Sequence, residues 1–191
     1  MKRVKTLRIA LTLGITLMAA TLASTSIPSA QALSIATTRL MADTTNPYGG
    51  TNIDPLPATA TIFTVTNGKK SINYSKNDLL KIKSTIISIF EPFVEKRQSF
   101  TVIPLDYFLG KSSISSSATI DTIALNDYIF SEKAGNFSKA KAYIAIARFG
   151  KDIPYNQGGP LRLIYASNSS WSKNLSAWNW SLRSIKVKKA A

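Results

Sequence analysis

The run Gly158-Gly159-Pro160-Leu161-Arg162-Leu163-Ile164-Tyr165 narrows the possible folds of this chain more than any other stretch. Two glycines open backbone conformations that side chains resist, and a proline fixes the φ that follows. The chain then enters an apolar segment interrupted by Arg162. Such a corner carries a planar, permanently charged guanidinium into the wall of a strand, which is how a fold presents a fixed cation to an anionic ligand. The plainer alternative is a turn that only feeds a strand, with Arg162 paired to an acid such as Asp127 or Asp152. After a polar linker comes Trp178-Asn179-Trp180-Ser181-Leu182-Arg183-Ser184-Ile185, whose tryptophans are expected to pack in the core or at its edge.

The chain contains no Cys and no His. Without them there is no Ser-His-Asp triad, no ordinary zinc site, no thiolate and no disulfide. The 10 acidic residues have no paired spacing, and no Walker-type or dinucleotide-binding glycine loop is present. No catalytic residue and no metal ligand is therefore assigned. Stability has to come from an apolar core, which a 45% hydrophobic composition can supply.

Residues 1–32 read as a signal peptide. Lys2, Arg3, Lys5 and Arg8 precede an apolar run from Ile9 to Ala23, and Ala30-Gln31-Ala32 has the small-x-small form of a cleavage site. That run falls short of the roughly 20 residues that span a bilayer, and no later segment is longer, so no stable membrane insertion is expected after cleavage. The expected location is periplasmic or secreted. The leader's 4 cations have no acids beside them, so their removal leaves 20 basic against 10 acidic side chains and lowers the net charge from +14 to +10. These bases are mostly scattered, with one cluster at Lys186, Lys188 and Lys189, and lack interleaved stacking aromatics, so a nucleic-acid partner is not expected. An anionic small molecule or a protein partner suits the charge better.

Residues 33–60, rich in Thr, Asn, Pro and Gly, read as a flexible N-terminal arm, and residues 61–189 as one domain. Alternation around Ile62–Val65 and Ser71–Tyr74 with Asn67-Gly68 between them predicts a β-hairpin. Ser75 and Asp78 open a short helix, and Thr85–Phe90 is expected to be a buried strand. Pro104 starts a second helix that Gly110 ends as its C′ residue. A strand from Ile120 to Leu125 turns at Asn126-Asp127 into Tyr128–Phe130, and Ala142–Phe149, apolar on both faces, reads as a central strand. Strands outnumber helices.

Several of these segments resemble a known family in their order. They are Ser75-x-x-Asp78-Leu79-Leu80, Ile103-Pro104-Leu105-x-x-x-Leu109, Ile123-Ala124-Leu125-Asn126-Asp127-Tyr128, and Ala147-Arg148-x-Gly150-Lys151-x-Ile153-Pro154. The Gly-Gly-Pro-Leu-Arg run with Trp178-x-Trp180-x-Leu182-x-x-Ile185-x-Val187 completes the series. Together they resemble the oxidoreductase molybdopterin-binding domain in a short exported form, over about residues 61–188. The fold class this implies is α+β, a β-rich mixed-sheet or barrel-like domain of sulfite oxidase type with a few short helices.

The resemblance implies a cofactor contact at Arg162, whose family counterpart touches the phosphate or pterin edge of molybdopterin. Gln157 stands where catalytic members usually carry a His, and Asn179 where a Lys often stands. With Gly158 and Gly159, these complete the candidate cofactor-binding set. The family's metal-ligating thiolate belongs near the end of the Thr85–Phe90 strand, and this chain has none. Two functions follow as expectations. One is a non-catalytic exported domain that binds an anionic ligand or a protein partner through the Arg162 corner. The other is a molybdopterin-dependent oxidoreductase, or its subunit, with an atypical Cys-free cofactor site. Whether the chain is an enzyme stays open at this point.

Overall fold

The structure is a computed structural model in which residues 54–189 are described; all belong to the second of two compact units, Ala42–Ala191. The predicted signal peptide, 1–32, and all but the last few residues of the predicted arm, 33–60, lie outside the described residues. In chain order the strands are β1 (Thr61–Asn67), β2 (Lys70–Ser75), β3 (Thr85–Glu91), β4 (Lys96–Pro104), β5 (Thr119–Ala124), β6 (Ile129–Lys133), β7 (Ala142–Arg148), β8 (Arg162–Tyr165), β9 (Asn179–Trp180) and β10 (Leu182–Val187). The helices are α1 (Lys76–Leu80), α2 (Leu105–Lys111) and α3 (Ala134–Lys139), with 3-10 turns at Tyr155–Gln157 and Leu175–Ala177.

The strands form two five-stranded sheets, ordered β2-β1-β10-β5-β6 and β3-β4-β7-β8-β9. All neighbours are antiparallel except β1 and β10, which run parallel with Val65 opposite Ile185. One apolar core serves both sheets: Phe63, Ile120 and Ile185 from the first meet Phe100, Ile144 and Leu163 from the second, with Leu105, Phe108 and Phe137 supplied by helices. Burying each such side chain contributes about 1.5–3 kcal/mol. The domain is β-rich with few helices, as expected.

The hairpin forms one residue later than its signal. Asn67 still pairs with Lys70, so the loop is Gly68-Lys69, with Gly68 left-handed at φ 62. Asn67 is thereby free to donate its amide to the carbonyls of Ser112 and Ser113 just past α2. Ser75 caps α1 in a reciprocal box with Asp78, as predicted. Helix α2 runs through Gly110, and the left-handed position falls to Ser113 at φ 52.

The Thr85–Phe90 strand is a correction. It is an edge of the second sheet, with Ile86 and Phe90 exposed and only Ile89 and Glu91 fully buried. A β-branched run fits a strand wherever it lies, and its composition does not set its place in the sheet. Strand β4, whose Gln98, Phe100 and Val102 face inward, and helix α3 were not anticipated. The second sheet curls: Phe93, just beyond β3, packs its ring 4.5 Å from Trp180 of β9 and 6.3 Å from Trp178. The far edge strand thus reaches the tryptophans that follow the Gly-Gly-Pro corner.

Candidate functional site

The corner is built by close backbone approach. After Pro154 the chain makes the turn Tyr155–Gln157, and the N–H groups of Gln157 and Gly159 both donate to the Pro154 carbonyl at 2.9 Å. Gly158 is left-handed at φ 77, and the Gly159–Pro160 peptide is cis. A Cβ on Gly159 would fall 1.9 Å from the Ile153 carbonyl oxygen. On Gly158 it would meet Nε and Nη2 of Arg162 at 3.1 and 3.2 Å. One glycine is needed for the turn to close, and the other for the guanidinium to lie against the backbone.

Arg162, the first residue of β8, is wholly buried. Its guanidinium carbon sits 4.4 Å from the Trp180 ring centroid and 5.9 Å from that of Phe100. A desolvated cation over an indole gains about 2 kcal/mol. Its Nη2 donates to the Gln157 main-chain carbonyl. Neither acid named from sequence reaches it: Asp127 is paired with Arg183 and Asp152 with Lys76.

The acid that acts on Arg162 is Glu91, the last residue of β3 and itself wholly buried. Desolvation raises the Glu91 pKa, against the opposing pull of the positive charges on Arg162 and, more weakly, Arg148. Its Oε1 accepts the Phe93 N–H at 3.4 Å. Arg148 closes β7, is half-buried, and donates through Nη2 to Oε1 of Gln157. Gln157 therefore accepts from two guanidiniums, by its side chain from Arg148 and by its main chain from Arg162. Two cations around one carboxyl leave a surplus of positive charge at the corner.

Of the residues predicted for a cofactor, Arg162, Gln157, Gly158 and Gly159 form one cluster. Asn179 belongs elsewhere. It lies opposite Leu163, one residue out of phase with the Arg162–Trp180 pair, so its side chain leaves on the other face of the sheet. There it is buried and donates to the carbonyl and Oγ1 of Thr122 at 2.9 and 3.2 Å, tying β9 of one sheet to β5 of the other. Glu91 and Arg148 are the cluster members that sequence reasoning left out. Glu91 follows the Thr85–Phe90 run and Arg148 stands inside the Ala147-Arg148-x-Gly150-Lys151 segment; both prove to be strand ends, where register alone decides which way a side chain turns.

Three clefts open around this frame, and Arg162, Gly158, Gly159 and Asn179 line none of them. A cleft of about 510 Å³ is bordered by Arg148, Gln157, Lys96, Gln98, Glu95 and Phe93. On the outer side of the corner, Pro160, Leu161, Ile153, Ile62 and Leu79 line an apolar cleft of about 370 Å³, with the Lys76–Asp152 pair among its lining residues. The third, of about 460 Å³, runs along β1 and β10. Among the described residues no group of three or more acidic side chains is placed to hold a metal ion, and no helix is long and apolar enough to cross a membrane.

No family model matches the chain, and no curated protein matches it. Solved structures do. The sulfane dehydrogenase SoxCD from Paracoccus pantotrophus superposes with a TM-score of 0.55 at 11% identity, over 72% of this chain and 40% of that one. The match thus covers less than half of that chain's length. At this identity the likeness is one of fold, at a distance, and it joins this β-rich domain to part of an oxidoreductase.

Proposed function

We propose that this chain is an exported, non-catalytic binding domain on a scaffold of sulfite oxidase type, and that it takes a small anion at the Arg148–Gln157 cleft. The distant likeness to SoxCD and the order of the sequence motifs support the scaffold. The observation that carries the binding site is the division of labour at Gln157. Arg162 is enclosed by Trp180, Phe100 and Gly158, whereas Arg148, which acts more weakly on the same Glu91, borders an open cleft with Lys96, Gln98, Gln157 and one carboxylate, Glu95. A guanidinium held in plane by Gln157, with two amides and an ammonium nearby, offers donors matched to a carboxylate, sulfate or phosphate.

Molybdopterin does not fit these side chains. The metal would lack any thiolate, since the chain has no Cys, and the arginine that resembles the family's cofactor contact has its guanidinium covered. Protein purified gently from its native host is expected to carry molybdenum near zero per chain, and a stoichiometric amount would overturn the non-catalytic reading. The anion site is tested by thermal shift with inorganic phosphate and sulfate at constant ionic strength. Wild type is expected to gain stability that Arg148→Ala loses; equal gains in both, or none in wild type, would remove the site.

A further inference from the structure

Two turns meet at the Arg148–Gln157 cleft. One joins β3 to β4 and carries Phe93, Val94 and Glu95; the other follows β7 and begins at Phe149. β4 pairs antiparallel with both β3 and β7, so the turn that enters β4 and the turn that leaves β7 lie at one end of the sheet.

The second turn holds a residue that its backbone disfavours. Arg148 and Lys151 exchange backbone hydrogen bonds of 2.8 and 3.0 Å around the two-residue loop Phe149-Gly150, and both loop residues have positive φ, 50 and 71. Such a loop selects Asn, Asp or Gly at its first position, and a bulky side chain there is strained. Among the described residues six non-glycines have positive φ, and Phe149 is the one aromatic side chain in that set. The core does not account for it: Phe149 is 61% exposed and stands outside the apolar cluster. Glu95, at φ 53, is another of the six and borders the same cleft. Residues held in such conformations gather at ligand sites.

The rest of the border complements one kind of molecule. Phe93, 43% exposed, is fixed by its ring contact with Trp180 and by the bond from its N–H to Glu91, and so supplies a second apolar surface. Arg148 and Lys96 against Glu95 leave a net charge of +1 on the border, beside the amides of Gln98 and Gln157. We infer that the anion taken at this cleft is an aromatic monocarboxylate, held by Arg148 through its carboxylate and by Phe149 through its ring. The inference rests on the anion site proposed above and adds the class of ligand. A guanidinium matches a carboxylate in two parallel hydrogen bonds, and a second negative charge on the ligand would meet Glu95. A ring laid against Phe149 and Phe93 covers apolar surface that otherwise faces water. The cleft, at about 510 Å³, has the size of a small-molecule site and more room than a bare inorganic anion fills.

Amide chemical shifts of the protein, titrated with acetate and with phenylacetate at fixed pH and ionic strength, test the inference. Both acids should move the amides of Arg148 and Gln157 and lose that effect in Arg148→Ala, and phenylacetate should bind wild type about tenfold more tightly than acetate does. Phe149→Asn separates recognition from folding, because Asn suits the turn better. It should melt above wild type and lose most of the preference for phenylacetate. A Phe149→Asn protein that keeps the full preference, or that melts below wild type, would overturn the role of Phe149. Equal affinity of wild type for the two acids would overturn the aromatic specificity and leave the anion site standing, whereas no Arg148-dependent shift with either acid would remove the site itself.

Discussion

Two guanidiniums reach Gln157 from neighbouring strands. Arg148 comes from β7 and ends on the side-chain oxygen; Arg162 comes from β8 and ends on the main-chain carbonyl. Arg162 lies under an indole, against a glycine and within the field of a buried carboxyl. Arg148 borders a cleft with a lysine, two glutamines and one glutamate. The same functional group lies inside the fold in one place and on the wall of an open cleft in the other. The difference lies in what encloses each side chain, since both are arginines at strand ends.

Breaking the buried half of the comparison should have the largest effect. Arg162→Ala empties a wholly buried position under Trp180 and removes the positive charge that opposes the desolvation of Glu91, an expected loss of about 3 kcal/mol or more. Urea denaturation should show that loss, whereas Arg148→Ala, at a half-buried position, should change stability by less than about 1 kcal/mol. Equal losses would erase the distinction. Gly159→Ala should follow, at about 1–3 kcal/mol, because its Cβ would have to displace the Ile153 carbonyl.

Protonation of Glu91 gives a subtler probe of the same cluster. Its folded pKa is raised, so its contribution to stability is full below the unfolded carboxylate pKa and is lost as pH rises through the higher folded value. Wild type should lose stability as pH rises from the unfolded carboxylate value through the folded one, and Glu91→Gln should flatten the dependence. Asp78 carries the opposite sign. Hydrogen bonds from Ser75 lower its pKa, so its contribution is present above the unfolded value and disappears as pH falls through the folded one. Ser75→Ala should therefore weaken the acid-side decline, the smallest of these effects, in acid titrations followed by circular dichroism.

The sequence made much of the fold legible because local chemistry specifies it. Gly68 supplies a turn conformation, Ser75 and Asp78 form a cap three residues apart, and the apolar Ala142–Arg148 run lies between two neighbours in its sheet. What stayed hidden depends on position in the sheet. Thr85–Glu91 has the composition of an interior strand, and only the topology makes it an edge. At the site, Gln157, Gly158, Gly159 and Arg162 lie together because one short turn and the strand it feeds join them. Glu91 comes from a strand far back in the chain and Arg148 from the end of the strand just before the turn, while one step of strand alternation turns Asn179 to the other face of the sheet. A cation meant for a ligand and one meant for the core look alike in sequence.

The most direct test of that division is the phosphate response of three proteins, followed by melting temperature at fixed ionic strength. Wild type should be stabilised by phosphate, Arg148→Ala should not respond, and Arg162→Lys should melt lower yet respond as wild type does. A response that survives Arg148→Ala and vanishes in Arg162→Lys would contradict the account and return the ligand to the buried arginine.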